Sequence, residues 1–364
     1  MRIGIDARPL IEKKTGIGFY LHYLLINILE NDKENEYILF SDREIYFDVD
    51  KYSNLTAVVD RKSKYKKTIW YMLRLNSLCK EHSIEVFWGT QHVLPLGLKN
   101  VTKLLTIHDL VAFDFKETMS TYNKVINKLL IPRSIKAADK IVSVSKSTDE
   151  RLLFHFEKYA RGKNTVIYED VIVNTDYSNI NKNYLSENNL KKKEYIMFLG
   201  TIEPRKNIIT LIKALDKINK ETNMKLLICG KYGWNCEEER KLIERNLDKI
   251  VFLNYVTDEE KNYLMHNSFA FIFPSLYEGF GLPVLEAMRN NTITFVADNT
   301  SLKEIVEEKI LRFETNDSDE LTNKVILTYN NKALYNELLN YCRKREKDFN
   351  WNEISKSYIH EFIK

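Results

Sequence analysis

The sequence predicts an α/β protein built as two doubly wound, parallel-sheet domains in tandem. Short apolar runs alternate with helical spacing along almost the whole chain, the pattern of strand–helix–strand units that feed a parallel sheet. One polar stretch, Ser178 to Glu194, interrupts the alternation before it resumes. At 364 residues the chain also exceeds what a single core ordinarily organises.

In the first half, Arg2 to Ile5, Tyr37 to Phe40, Val86 to Trp88, Lys103 to Ile107 and Ile141 to Val144 read as strands. Phe19 to Leu29, Lys67 to Glu81 and Thr121 to Ala138 carry apolar residues at helical spacing. In the second half the strands are Tyr195 to Leu199, Lys225 to Cys229, Ile250 to Leu253, Phe269 to Phe273 and Thr292 to Val296. The expected division is residues 1–180 as the first Rossmann-like domain, 181–194 as linker, 195–349 as the second domain and 350–364 as a terminal helix. Trp351, Ile354, Tyr358 and Phe362 fall three to four residues apart and form an apolar stripe on that helix. Ligands of doubly wound sheets bind at the C-terminal strand ends, so a cleft between two facing sheets is the expected site.

Composition narrows the class. The chain is 44% apolar and 29% charged, ordinary for a globular protein, and a net charge of +4 is too mild to imply nucleic acid. No apolar run approaches the ~20 residues that span a bilayer, and Met1 to Asp6 reads as a strand, not a signal peptide. A cytoplasmic protein is expected. Cys79, Cys229, Cys236 and Cys342 are scattered without a C-x-x-C pair, against a zinc site or a disulfide framework.

The most informative stretch is Phe273-Pro274-Ser275-Leu276-Tyr277-Glu278-Gly279-Phe280-Gly281-Leu282-Pro283-Val284-Leu285-Glu286. It reads as a buried strand, a glycine loop and a helix start, with Pro283 in the first turn, where a missing N–H costs nothing. That arrangement aims backbone N–H groups and a helix dipole at one spot and suits a phosphate. Glu278 and Glu286 can serve opposite ends of one ligand. Gly200-Thr201-Ile202-Glu203-Pro204-Arg205-Lys206-Asn207 ends the first strand of the second domain. Adjacent Arg205 and Lys206 at a helix start oppose its dipole, which makes sense if an anion binds there. They are expected to give the pocket a positive potential. The plain alternative is a solvated basic pair.

Other strand ends offer further candidates. His108, in Thr106-Ile107-His108-Asp109, can hydrogen-bond a sugar hydroxyl or share a developing positive charge, or else be satisfied by a loop backbone. The segment Val251 to Asp258, including Val256, can present its backbone to a nucleobase edge. Thr15-Gly16-Ile17-Gly18 opens a helix, but Leu21 stands where a third glycine of the dinucleotide fingerprint is needed, so no dinucleotide site is expected. The triplets Asp48-Val49-Asp50 and Asp317-Ser318-Asp319 are explained by chance and helix capping rather than by a metal. Arg61-Lys62-Ser63-Lys64-Tyr65-Lys66-Lys67 holds five cations in seven residues, a solvated loop or a contact with an anionic membrane surface.

These blocks, in order, resemble the family 4 retaining glycosyltransferases of GT-B fold (glycosyl transferases group 1). The resemblance rests on Glu278-Gly279-Phe280-Gly281-Leu282-Pro283 with Glu286, on Gly200 to Asn207, on Thr15 to Gly18, on Thr106 to Asp109 and on Ala138 to Ser145. It covers nearly the full chain and looks most like the mannosyltransferase-like bacterial members that build surface polysaccharides. The resemblance implies two Rossmann-like domains facing across a cleft and transfer of a hexose, mannose favoured, from a nucleotide diphosphate donor to a glycan or lipid-linked acceptor. It implies that Arg205 and Lys206 hold the diphosphate, that Glu286 binds the ribose hydroxyls, and that Glu278 with the backbone of Gly279, Phe280, Gly281 and Leu282 holds the sugar. His108 would sit by the sugar, and Gly16 and Gly18 would approach the diphosphate or the sugar. Gly200 would line the donor site, and the terminal helix would cross back onto the first domain. No cofactor and no metal are expected, and any membrane association would be peripheral, at the inner face of the plasma membrane. Two other outcomes stay open: a nucleotide-sugar epimerase or hydrolase on the same scaffold, and a non-catalytic nucleotide-sugar-binding subunit. The chain departs from the family at Glu169-Asp170-Val171-Ile172, where Asn-Gly-Val-Asp is usual, and at Asn254, where glycine is common.

Overall fold

The structure, a computed structural model, describes residues 1–12, 16–61, 67–115 and 121–364. It divides into two compact units, Met1–Val171 with Asn350–Lys364, and Ile172–Phe349. Thr15 and most of the basic segment Arg61 to Lys67 lie outside the described residues.

The first unit is built on a seven-stranded sheet. Its strands are β1 (Arg2–Asp6), β2 (Glu36–Ser41), β3 (Leu55–Val59), β4 (Val86–Gly89), β5 (Thr102–Ile107), β6 (Lys140–Ser143) and β7 (Asn164–Val166). The order is β3-β2-β1-β4-β5-β6-β7, and every pairing is parallel. The second unit holds β8 (Tyr195–Leu199), β9 (Lys225–Cys229), β10 (Ile250–Leu253), β11 (Ala270–Phe273), β12 (Ile293–Ala297) and β13 (Arg312–Phe313). These run parallel in the order β10-β9-β8-β11-β12-β13. Both sheets are doubly wound. In the second, the winding reverses between β8 and β11, so the loops after those two strands flank the crevice where such sheets take ligands.

Burial explains which strands the sequence announced. β4, β9, β11 and β12 are buried along nearly their whole length, and parallel strands covered on both faces read as apolar runs. The three strands not expected from the sequence are all edges. β3 is half-exposed at Thr56 to Val59, β7 is the partly polar Asn164-Thr165-Val166, and β13 has two residues. The helical stretch Lys67 to Glu81 exists but opens into a π turn over Trp70–Arg74, which buries Trp70 and lets its Nε1 donate to Asp60 (2.9 Å).

The unit boundary differs from the expected 180/195 division. The first unit ends at Val171, and the polar stretch assigned as linker is folded into the second unit. Its lysines and asparagines hid those attachments: Lys193 Nζ donates to the carbonyls of His266 and Ser268 (2.9 and 2.7 Å), and Leu190 is buried. The terminal helix Trp351–Ile363 belongs to the first unit, with Trp351, Ile354, Tyr358 and Phe362 buried in its core beside Trp88 and Tyr20. The Tyr358 and Tyr20 hydroxyls share a hydrogen bond.

Candidate active site

The site in the second unit is made by two loops laced together. After β8 the chain makes a short 3₁₀ turn, Pro204–Lys206, and Asn207 adopts the left-handed region (φ 53°) before the helix Ile208–Thr222 begins. Asn tolerates that conformation better than most residues. Here its side chain also ties the loop down, because Asn207 Nδ2 donates to the Pro274 carbonyl in the loop after β11 (3.0 Å). The Leu276 amide donates back to the Arg205 carbonyl (2.8 Å), and Arg205 Nη1 donates to the Tyr277 carbonyl (2.7 Å). The basic turn and the glycine loop are thus one rigid piece.

Four charged side chains meet there. Arg205 Nη2 lies 2.6 Å from Glu203 Oε1, Arg205 Nη1 lies 3.1 Å from Glu278 Oε2, and Lys206 Nζ lies 2.7 Å from Glu278 Oε1. The Lys206 ammonium also stands 4.8 Å from the centre of the Phe273 ring. Two cations and two anions sum to zero, so the net positive potential expected from the Arg–Lys pair is corrected: Glu203 and Glu278 balance it. The carboxylates hold the cations at fixed positions, the preorganisation that a transition-state charge requires. Burial, the largest influence on Glu278, pushes its carboxyl up, but Lys206 and Arg205 together outweigh it and bring the pKa down to about 2. Burial lowers the Lys206 ammonium, and the neighbouring guanidinium adds to that fall while Glu278 opposes it.

A depressed carboxylate stabilises the fold above its ordinary pKa, and the contribution disappears as the proton binds. Wild-type protein is therefore expected to lose stability as pH falls from the ordinary glutamate value of 4.5 toward about 2. Glu278→Gln should show a shallower loss over the same window in urea-melt midpoints.

The glycine loop is pinned from the other side. Ser301 Oγ donates to the carbonyls of Glu278 and Phe280 (3.0 and 2.6 Å), and the Glu278 amide donates to Thr300 Oγ1 (3.3 Å). Gly281 (φ 116°) caps the helix Leu282–Arg289 without any side-chain cap. The Phe280 ring is buried and edge-on to Phe349 at 5.7 Å, so this residue offers its backbone rather than its ring. Behind the basic turn, the loops after β8 and β9 touch backbone to backbone at Gly200 and Gly230.

Glu286, on the helix Leu282–Arg289, does not join the charged cluster. Its Oε1 accepts from Lys261 Nζ (2.9 Å), which also donates to Asp258 (2.9 Å). Val256 precedes the helix Asp258–Asn267, which Thr257 and Glu260 open with a capping box.

His108, Gly16 and Gly18 belong to the first unit. The helix already begins at Gly16, so Gly18 lies within its first turn and is buried, rather than in a loop ahead of Phe19. His108 follows β5 and is buried; its Nδ1 lies 2.9 Å from Glu169 Oε1 and its Nε2 3.0 Å from the Thr90 carbonyl. A carboxylate and a carbonyl are both acceptors, an arrangement that favours the charged ring, whose two nitrogens both donate. Burial opposes that charge, but the Glu169 hydrogen bond and charge prevail and the pKa is raised. Both nitrogens are thereby engaged by the protein.

Three residues that pair with the candidate site residues escaped the sequence reasoning: Glu203, Glu169 and Lys261. Only the last left a signal. Lys261 stands three and four residues before the buried Leu264 and Met265, a cation on the apolar stripe of its helix.

Among the described residues no cluster could hold a metal ion, and no helix is long and apolar enough to cross a membrane. Residues 181–347 match the family model of glycosyl transferases group 1. The chain is similar to the O-antigen chain mannosyltransferase RfbU of Salmonella typhimurium, 26% identical over 72% of this chain and 71% of that one. It is also similar to O-antigen chain mannosyltransferase B of Escherichia coli, 24% identical over 100% of this chain and 99% of the relative. Among solved structures, HepE of Anabaena in complex with UDP-glucose aligns at a TM-score of 0.72 and 14% identity, covering 99% of each chain. These similarities support a mannosyltransferase-like glycosyltransferase of GT-B fold.

Proposed function

We propose that this glycosyltransferase moves a hexose, with mannose favoured, from a nucleotide diphosphate donor to a hydroxyl of a glycan or lipid-linked glycan in bacterial surface-polysaccharide synthesis, with retention of anomeric configuration. The observation that carries the reading is the laced Arg205–Lys206–Glu278 cluster at the switch point of the second sheet. The sequence relatives, both O-antigen chain mannosyltransferases, support the choice of sugar and pathway.

In this mechanism the bond from the anomeric carbon to the diphosphate oxygen breaks, and the diphosphate keeps the electron pair. Arg205 and Lys206 stabilise the charge that builds there, the role a divalent cation plays elsewhere. The acceptor oxygen bonds the same face of the sugar and passes its proton to the departing phosphate. Glu278 accepts hydrogen bonds from the sugar, joined by the backbone of Gly279 to Leu282, and Gly200 lines the donor. Glu286 accepts from the ribose, and the backbone at Val256 meets the base. Membrane contact, where the acceptor is lipid-linked, is assigned to the basic segment Arg61 to Lys67 at the inner face.

The test is incubation of the purified protein with GDP-mannose, and with a panel of other nucleotide sugars, over mannose-terminated and lipid-linked glycan acceptors. The expected product is an α-linked hexose by NMR. An epimer or free sugar formed equally well without acceptor, or donor binding without turnover across the panel, would replace this reading with one of its rivals.

A further inference from the structure

We infer that Lys261 is a second determinant of ribose recognition, acting with Glu286 as a donor–acceptor pair on the vicinal diol of a nucleoside diphosphate. The inference rests on the assignment of Glu286 to the ribose. Lys261 arises from the helix Asp258–Asn267 and Glu286 from the helix Leu282–Arg289, so their contact joins two separate elements beside the glycine loop. Both side chains are mostly buried, at 15% and 18% exposure, whereas Asp258 is 63% exposed. An ammonium on the buried stripe of a helix is costly unless it is paired, and here two carboxylates pair it.

The stoichiometry of the contact gives it a use. An ammonium has three N–H donors. Glu286 Oε1 takes one at 2.9 Å and Asp258 Oδ1 takes another at 2.9 Å. One donor remains for a ligand oxygen, and Glu286 retains Oε2 as an acceptor. A ribose diol presents two adjacent hydroxyls, each able to donate and to accept. The 2′-hydroxyl can donate to Glu286 and accept from Lys261 at once, with the 3′-hydroxyl beside it. Fixing Oε1 also holds the Glu286 carboxylate in one rotamer, which removes an ordering cost from binding. The burial of Lys261 opposes its charge, but Glu286 and Asp258 more than offset that, and its pKa is raised, so the donor persists at neutral pH.

The experiment is titration calorimetry on the full chain with GDP and UDP against their 2′-deoxy analogues. Wild type is expected to prefer the ribonucleotide by roughly ten- to hundredfold, the range for a hydrogen bond to a charged group. Lys261→Met should lower ribonucleotide affinity about tenfold or more, leave the 2′-deoxy affinity nearly unchanged and so erase the preference. Lys261→Gln serves as the second variant if the methionine form fails to fold, and should erase most of the preference. Retention of the wild-type preference by a folded Lys261 variant overturns the inference. Glu286→Gln separates the two layers: loss of preference there with retention at Lys261 leaves Glu286 on the ribose and removes Lys261 alone. Retention in Glu286→Gln removes the ribose assignment itself.

Discussion

Arg205→Ala is expected to lower kcat/KM for transfer by about 10²–10³-fold, the loss seen when one preorganised donor to a developing oxyanion is removed. Two effects add. The fork that can grip a diphosphate in two places disappears. The cluster also changes sign, because removal of Arg205 from two cations and two anions leaves one cation, Lys206, against Glu203 and Glu278. The diphosphate then meets net negative charge. Arg205→Lys keeps the sum at zero but loses the fork, and should recover only part of the rate. The control is a melting curve, since Arg205 also binds the Tyr277 carbonyl and its removal loosens the glycine loop. A folded Arg205→Ala enzyme with wild-type kcat/KM would remove Arg205 from the chemistry.

Gly230→Ala should damage the fold severely for the addition of a single methyl group. A Cβ at Gly230 would lie 1.9 Å from the Gly200 carbonyl oxygen, and the backbone φ of +149° disfavours any L side chain. Neither the carbonyl nor the strand beneath it can step aside alone, because Gly200 N donates to the Cys229 carbonyl and Gly230 N to the Leu253 carbonyl, both at 3.0 Å. Strain and overpacking each cost about 1–3 kcal/mol, so a loss of roughly 3 kcal/mol or more is expected. For a unit of this size that lowers the melting midpoint by roughly 6–12 °C. Gly200→Ala separates the two causes. Its φ is +152°, but the nearest atom to its added Cβ, on Phe198, is 3.6 Å away. It should pay the strain alone and lose about half as much. Equal midpoints for Gly230→Ala and wild type, by differential scanning calorimetry, would show that the two loops are not in contact.

Much of this was legible in the sequence, and what was not has a physical cause. Strands covered on both faces, such as Lys225–Cys229, must be apolar throughout, so the chain declares them. Edge strands such as Asn164–Val166 carry no such requirement. Arg205, Lys206 and Glu278 stand in motifs whose residue types imply a bound anion, and the structure joins them across 72 residues of chain. The compensating partners were hidden for different reasons. Glu203 stands two residues from Arg205, yet only the folded turn brings its carboxylate onto the guanidinium. Nothing near Glu169 points to His108, 61 residues away. The polar composition of 181–194 spoke for a linker because lysines can bury their stems and still cap carbonyls, as Lys193 does.

The central claim is that Arg205 and Lys206, held by Glu203 and Glu278, bind the diphosphate of a nucleotide sugar. Calorimetric titration of GDP and UDP into wild type and into Arg205→Ala, at matched pH and salt, measures it most directly. The account predicts saturable binding of at least one nucleoside diphosphate by wild type, weakened tenfold or more in the folded variant and weakened far less for the parent nucleoside. Equal affinity for the diphosphate in both proteins would contradict it.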